Sequence, residues 1–124
     1  MKIHHTDDAP KAAGFYSQAV SVDGWLYTAG QVGIDPATGK LAPGGFEPQA
    51  RQVLANLRAI LRGAGVDFDR VVKSTVFLAD LGDFAALNTI YAAALGGHRP
   101  ARTTVQVAAL PLGASIEIDM VARL

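Results

Sequence analysis

Two segments near the C-terminal end of the sequence carry side chains that could act together on a small carboxylate. Residues 100–107 read Pro-Ala-Arg-Thr-Thr-Val-Gln-Val and residues 115–119 read Ser-Ile-Glu-Ile-Asp. Both alternate apolar and polar residues, as half-buried strands do. If the two strands paired, the Arg102 guanidinium and the Glu117 carboxylate would point from a common sheet face into one space. A guanidinium binds carboxylates and a carboxylate can serve as a base. From these segments alone, the preferred interpretation is a salt bridge at the sheet rim, worth about 0–1 kcal/mol.

The composition limits the classes of function. The 124 residues suit one domain, residues 1–124, with a single core, and a hydrophobic fraction of 50% favours folding. A formal net charge of zero gives no basic excess for nucleic acid or an anionic membrane. The chain has no cysteine, which excludes disulfides, thiolate metal sites and a cysteine nucleophile. No apolar run is long enough for a signal peptide or a membrane span, so we expect a cytoplasmic protein.

The elements that must position Arg102 and Glu117 follow from the hydrophobic pattern. Apolar residues at helical spacing predict helices over residues 47–64 and 83–95, the first with Pro48 at its first position and the second capped by Asp83. Alternating or apolar runs predict strands over residues 2–6, up to 22, 25–32, 69–79, from 102 and 115–123. This order predicts an α+β fold: a mixed six-stranded sheet with both helices packed on one face.

The other sheet face lacks any element to cover it. The pattern places apolar residues such as Val71, Phe77 and Val121 on that face. An exposed apolar sheet face predicts burial by self-association, so we expect a homo-oligomer with sites at subunit boundaries.

Other chemistry-bearing residues give weaker indications. Asn88 lies beside the apolar stripe of the second helix, where it is either a structural hydrogen-bonding residue or part of a site, and the structural role is favoured. His4 and His5 are adjacent in a predicted strand and so face opposite ways, which prevents them from chelating one metal ion. The glycines Gly30 and Gly33 lack the remaining residues of a phosphate-binding motif.

Short blocks spread over nearly the whole sequence carry a resemblance to a known family. The blocks are residues 9–20, 28–31, 35–39, 49–52, 56–57, 72–78, 83–91, 99–105 and 116–119. Each block alone is a weak signal, but in their joint order and spacing the sequence resembles the RidA/YjgF (Rid) family of enamine/imine deaminases.

The resemblance implies a fold like that of the small trimeric chorismate mutases. Such a homotrimer packs its sheets into a central β-barrel, with the helices outside and three clefts between subunits. It further implies that Arg102 holds the substrate carboxylate and that Glu117 orients or activates the attacking water. By the same resemblance Tyr16, Gly30, Asn88 and Thr104 line the cleft: the first as a tyrosine of its wall, the second as a backbone contact, and Thr104 where many members have a cysteine.

The implied reaction needs no metal or cofactor. Enamines of the 2-aminoacrylate type tautomerise to imines, and water attack at the imine carbon gives a 2-oxo acid and ammonia. Since the imine is intrinsically reactive, proximity and proton transfer can suffice.

This sequence departs from the family pattern at three places. Phe15 stands between Gly14 and Tyr16 where many members have proline, which removes a φ restraint and adds a bulky ring. Ala29 replaces a serine whose hydroxyl can contact the ligand, a hydrogen bond worth about 0.5–1.5 kcal/mol. The segment between Tyr91 and Arg102 is also short.

Three alternatives stay open beside the deaminase. The first is a non-catalytic regulatory or metabolite-binding trimer that uses Arg102 only to hold a small carboxylate, which Ala29 and Phe15 favour. The second is RNA binding or cleavage, against which the neutral charge argues. The third is a purely structural interaction protein, which leaves Arg102 and Glu117 unexplained as a pair.

Overall fold

The computed structural model describes residues 1–124 and contains a mixed sheet with two α-helices on one of its faces. The helices are α1 (Phe46–Gly63) and α2 (Phe84–Leu95). The strands are β1 (Lys2–His4), β2 (Ala19–Val22), β3 (Trp25–Thr28), β4 (Gln31–Val32), β5 (Ile34–Asp35), β6 (Lys40–Leu41), β7 (Val71–Leu78), β8 (Ala101–Gln106) and β9 (Ile116–Arg123). Neither helix is long and apolar enough to cross a membrane.

The strand order across the main sheet is β1-β2-β3-β9-β7-β8. The sheet has seven strands instead of the predicted six, although it is six strands wide, because β4 continues along β9 from where β3 stops. The single strand predicted over residues 25–32 is wrong, since Ala29 and Gly30 separate β3 from β4. The strands β7 and β8 run parallel, as expected for two strands joined through a helix, and the other pairs are antiparallel. The short strands β5 and β6 form a separate hairpin.

Both helices pack on the same face, as predicted. From β9 this face presents Ile116, Ile118 and Met120, which join buried residues of α1 and α2 in one core. Each helix lies close to its predicted bounds. In α1 the chain enters the helix two residues before Pro48, which is therefore not the first helical residue. Asp83 precedes α2 at the N-cap position but makes no capping hydrogen bond through its side chain.

A bulge in β7 changes which residues face the core. The register against β9 shifts between Val71 and Lys73, because an extra residue is accommodated there. Val71 is consequently buried, with 1% of its surface exposed, and its predicted place on the uncovered face is wrong. Val72 is exposed instead.

The sheet face opposite the helices is uncovered in the single chain, and we call it the open face. Its registers place Val121 opposite Tyr27 and Phe77 opposite Glu117, so the predicted positions of Phe77 and Val121 are confirmed. Several large apolar side chains are exposed there although neighbouring core residues are fully buried. The exposed ones include Val22, Tyr27 and Val105.

Candidate active site

The Arg102 guanidinium lies against one face of α2. Arg102 is the second residue of the edge strand β8. Its Nη2 atom donates a hydrogen bond of 2.6 Å to the side-chain oxygen of Asn88. Its guanidinium carbon lies 4.9 Å from the centre of the Tyr91 ring and 5.6 Å from that of Phe84, within cation–π range. No carboxylate of the chain pairs with Arg102, so its charge is available to an anionic ligand.

A cavity of about 480 Å³ adjoins this guanidinium. Arg102, Asn88 and Tyr91 line it together with the loop 96–100 that connects α2 to β8. Thr104 follows Arg102 by two residues on the same strand and therefore points to the same side of the sheet. Arg102, Asn88 and Thr104 thus form one group, which we call the arginine cluster.

The Glu117 carboxyl lies against Gly30, at the interruption between β3 and β4. A side chain at Gly30 would collide with Glu117 Oε1, so the missing Cβ makes the room that the carboxyl occupies. Glu117 is half-buried and makes no hydrogen bond or ion pair through its carboxyl within the chain. Burial, followed by repulsion from Asp119, raises the pKa of the Glu117 carboxyl above its ordinary value of 4.5.

Tyr16 lies on the loop that precedes β2, beside the strand interruption at Gly30. The loop ends at Gln18, whose carbonyl accepts a hydrogen bond from the amide of Ala29, the residue before Gly30. The Gln18 side chain is buried and ties the loop to Thr6 and Pro10. Tyr16 itself is exposed, and its hydroxyl accepts a hydrogen bond only from the nearby Ala13 amide. The structure therefore brings Gly30 and Glu117 together, with Tyr16 on the adjacent loop, and we call these three residues the glutamate cluster.

Arg102 and Glu117 do not point into a common space within one chain. Their strands do not pair, because β7 lies between β8 and β9 and separates the two backbones by two strand spacings, roughly 10 Å. Ser74 of β7 is the register partner of both Arg102 and the core residue Met120, which puts Arg102 on the face that carries the helices.

Glu117 has Phe77 as its register partner, three residues further along β7. Since successive strand residues alternate in direction, Phe77 and Glu117 belong to the open face. The expectation of a shared sheet face is thus wrong, and the rim salt bridge between the two side chains is absent.

Asn88 contributes to the arginine cluster and not to the core. Its side chain is exposed, and its side-chain oxygen accepts the hydrogen bond from Arg102. The helical spacing of Phe84 and Tyr91 is typical of an apolar stripe, and the structure also places both rings near the Arg102 guanidinium. Their spacing of four and three residues from Asn88, which puts all three on one helix face, was the available signal of a shared partner.

Nothing in the chain forms a metal centre. No three histidine, aspartate or glutamate side chains lie close enough together to hold an ion. His4 instead contacts the hydroxyl of Ser21 at 2.8 Å, and His5 contacts Asp7 at 3.0 Å.

The fold is that of a small α+β domain, with Arg102 on one face of its mixed sheet and Glu117 on the other. The family model described as "Endoribonuclease L-PSP" matches residues 6–124. The chain therefore belongs to this family, the YjgF/RidA family, and the resemblance found in the sequence is confirmed.

Curated relatives agree over almost the entire length. The rat protein named 2-iminobutanoate/2-iminopropanoate deaminase is 52% identical over 121 residues, which cover 98% of this chain and 88% of the rat protein. The human protein of the same name is 50% identical over the same shares of each chain.

Solved structures match the fold closely. The crystal structure of RidA from the Antarctic bacterium Psychrobacter has a TM-score of 0.97 at 47% identity, with 100% of each chain covered. The structure of Escherichia coli TdcF with bound serine has a TM-score of 0.94 at 38% identity and covers 100% of this chain and 99% of that one.

Proposed function

We propose that this protein is a cytoplasmic, homotrimeric enamine/imine deaminase. It hydrolyses 2-imino acids and their enamine tautomers to 2-oxo acids and ammonia, in clefts between subunits. The observation that carries the proposal is the Arg102 guanidinium, held by Asn88 beside a cavity and unpaired with any carboxylate. The deaminase names of relatives at 50–52% identity supply the reaction.

Arg102 clamps the substrate carboxylate. A guanidinium has five N–H donors in a planar fork that fits a carboxylate with two parallel hydrogen bonds. Asn88 engages one donor on Nη2 and fixes the head group, and the remaining donors stay available. Binding the carboxylate places the adjacent imine carbon at a defined distance from the fork, which lowers the entropic cost of water attack.

Glu117 handles the water. Its carboxylate takes a proton from water as the oxygen attacks the imine carbon, and the C=N π electrons move to nitrogen. The same carboxyl then gives the proton to the nitrogen of the tetrahedral intermediate. The hydroxyl of this intermediate then loses its proton, which the Glu117 carboxylate passes on to the amine. As the carbonyl of the 2-oxo acid forms, the C–N bond breaks and ammonia leaves. A raised pKa suits a group that must both accept and return a proton.

The arginine cluster of one subunit faces the glutamate cluster of its neighbour in this proposal. Arg102 and Glu117 of one chain lie on opposite faces of its sheet, so neither can serve the other's substrate. In a trimer with a central β-barrel, the open faces of three copies pack together. The glutamate cluster on each open face is thereby brought to a neighbouring chain. It also buries the apolar side chains exposed there.

Replacing Arg102 by alanine tests the clamp. We expect a loss of about 100-fold in kcat/KM because two charge-assisted hydrogen bonds disappear. An amino acid oxidase generates 2-imino acids of several sizes, and the rate of ammonia and 2-oxo acid release is measured with and without the protein. Arg51→Ala is the matched control, since this exposed arginine of α1 reaches only Glu47, at 3.9 Å. Deamination by Arg102→Ala at the wild-type rate would contradict the proposal.

A second candidate is a trimer that binds small carboxylates without reaction. The bound serine of the Escherichia coli TdcF structure favours it, because serine presents a carboxylate beside a nitrogen-bearing carbon. The same assay separates the two functions. If the protein only binds carboxylates, a 2-oxo acid binds to the wild-type protein, but imine hydrolysis is no faster with the protein than without it.

A further inference from the structure

Three residues of one face of α2 surround the Arg102 head group. Phe84, Asn88 and Tyr91 are spaced four and three residues apart, which places them in line along a helix. Asn88 provides the hydrogen bond, whereas Tyr91 provides the closer of the two aromatic rings. The proposed mechanism uses Arg102 and Asn88 and assigns nothing to Tyr91.

The Tyr91 ring is held at both of its ends. Its backbone belongs to α2, and its hydroxyl oxygen lies 2.7 Å from the hydroxyl oxygen of Ser74 on β7. Ser74 has none of its surface exposed and Tyr91 has 8%. A buried hydroxyl needs a partner, so each of these groups fixes the other. The ring cannot swing away without leaving two buried polar groups unpaired.

Ser74 is also the register partner of Arg102 on the neighbouring parallel strand. Ser74, Tyr91 and Arg102 are therefore linked in pairs. Strand pairing with Ser74 fixes the backbone of Arg102, Ser74 holds the Tyr91 hydroxyl, and the Tyr91 ring contacts the Arg102 guanidinium. Burial raises the pKa of the Tyr91 phenol. The phenol stays neutral at ordinary pH, so it supports the guanidinium through its ring face and does not compete with a substrate as an anion.

We propose that Tyr91, anchored by Ser74, is a positioning residue that sets the angle at which the Arg102 fork meets the substrate carboxylate. The inference rests on the proposed function, since Tyr91 acts through the clamp. A planar fork makes two parallel hydrogen bonds only when the carboxylate lies near its plane. The Tyr91 ring, 4.9 Å from the guanidinium carbon, and the hydrogen bond to Asn88 together restrict the rotation of the guanidinium, while its other N–H donors stay available to the ligand.

Binding and kinetics together test the proposal. The variants are Tyr91→Phe, Tyr91→Leu, Ser74→Ala and the double variant Ser74→Ala/Tyr91→Phe. The probe is 2-oxobutanoate, the oxo acid corresponding to the 2-iminobutanoate in the names of the rat and human relatives. Its Kd is measured by calorimetry on the full chain, beside KM and kcat for the 2-imino acid and the Tm of each variant.

We expect Tyr91→Leu to raise Kd and KM about tenfold, because both the ring and its anchor are lost. Tyr91→Phe keeps the ring and Ser74→Ala removes only the anchor, so each raises them about threefold. The double variant loses the same hydrogen bond as either single variant and should bind no more weakly than they do. The value of kcat should stay within about twofold of wild type, since Tyr91 acts on carboxylate binding and not on the water.

Ile90→Ala is the matched control. Ile90 is the neighbouring buried residue of α2 and belongs to the hydrophobic core, and it provides neither a hydrogen bond nor an aromatic ring to Arg102. We therefore expect its variant to lose stability but to keep the Kd for 2-oxobutanoate. If Tyr91→Leu lowers Tm as Ile90→Ala does and leaves Kd and KM unchanged, Tyr91 is only a core residue and the proposal is overturned. If Tyr91→Leu does not fold, unchanged Kd values in Tyr91→Phe and Ser74→Ala overturn it equally.

The deaminase proposal can fail separately. A wild-type protein that binds 2-oxobutanoate but releases no ammonia contradicts deamination, and the Kd series of the Tyr91 variants still decides the positioning role. Equal Kd values in Arg102→Ala and wild type would show that the clamp itself is absent, which overturns both.

Discussion

At the scale of single residues, the Glu117 carboxyl sets the pH at which the proposed reaction slows. Burial and the nearby Asp119 raise its pKa above 4.5. A general base acts as the carboxylate, and a raised pKa means that this form is lost at a higher pH than for an exposed glutamate. We therefore expect kcat/KM to fall with decreasing pH along an acid limb whose midpoint lies above 4.5.

Two substitutions check the assignment of this limb in pH profiles of kcat/KM. Glu117→Gln cannot accept a proton, so it should lower the rate at neutral pH and abolish the limb. Asp119→Asn removes the repulsive charge and should shift the limb to lower pH while leaving the plateau. A limb that persists unchanged in Glu117→Gln belongs to another group and contradicts the role given to Glu117.

The residues that could do chemistry were recognisable from the sequence, but the sheet faces on which their side chains lie were not all predictable. Alternation along each segment correctly assigned Ile116 and Ile118 to one face and Glu117 to the other. It could not relate the face of Arg102 to that of Glu117, because this depends on the register of each strand against β7. The helical spacing of Tyr91 is typical of a core residue, and the residue is indeed buried, but its ring also lies against the Arg102 guanidinium.

At the scale of elements, the interruption between β3 and β4 makes the space for the Glu117 carboxyl. Gly30→Ala should displace that carboxyl, because the added Cβ would overlap Oε1. The displaced atom is the far end of a flexible side chain, so the substitution should leave Tm nearly unchanged. We expect kcat/KM to fall by about tenfold or more, because a small misplacement of a proton-transfer group is costly.

Gly63→Ala, at the end of α1, is the matched control for Gly30→Ala. A Cβ at Gly63 would come no closer than 3.4 Å to Thr6, an ordinary van der Waals contact, and Gly63 does not have a positive φ angle. Both variants are compared by thermal unfolding and by kcat/KM on the same imine. A Gly30→Ala variant with wild-type kcat/KM would show that the position of the Glu117 carboxyl is unimportant for turnover.

Part of the strand arrangement was available from connection rules and part was not. A strand–helix–strand connection favours parallel neighbours, which β7 and β8 are. That rule leaves β9 to pair on the other side of β7, and so argues against direct contact between the strands of Arg102 and Glu117. The bulge at Val72 was not predictable from alternation, because Val71 and Val72 are both apolar and either could face the core.

At the scale of the whole molecule, one chain presents two separate polar clusters, each half of a site in the proposed trimer, and one uncovered apolar surface. The arginine cluster opens on the helix-bearing face and the glutamate cluster on the open face, where residues such as Val105 and Tyr27 are exposed. Association through the open face would complete the sites and cover this surface at once. The uncovered face was predictable from the sequence because only two helices were available to cover a sheet six strands wide.

Mixed trimers of two inactive variants test whether the site forms between chains. Arg102→Ala and Glu117→Gln, co-expressed with different tags and purified through both tags, give trimers that contain each variant. If a cleft takes its arginine from one chain and its glutamate from the next, a mixed trimer has a single cleft with both groups, and activity returns to roughly one third of wild type. If both groups came from one chain, no cleft would be complete and activity would stay absent. Pairing Glu117→Gln with the double variant Arg102→Ala/Glu117→Gln is the control, since it supplies no functional glutamate and must remain inactive under either arrangement.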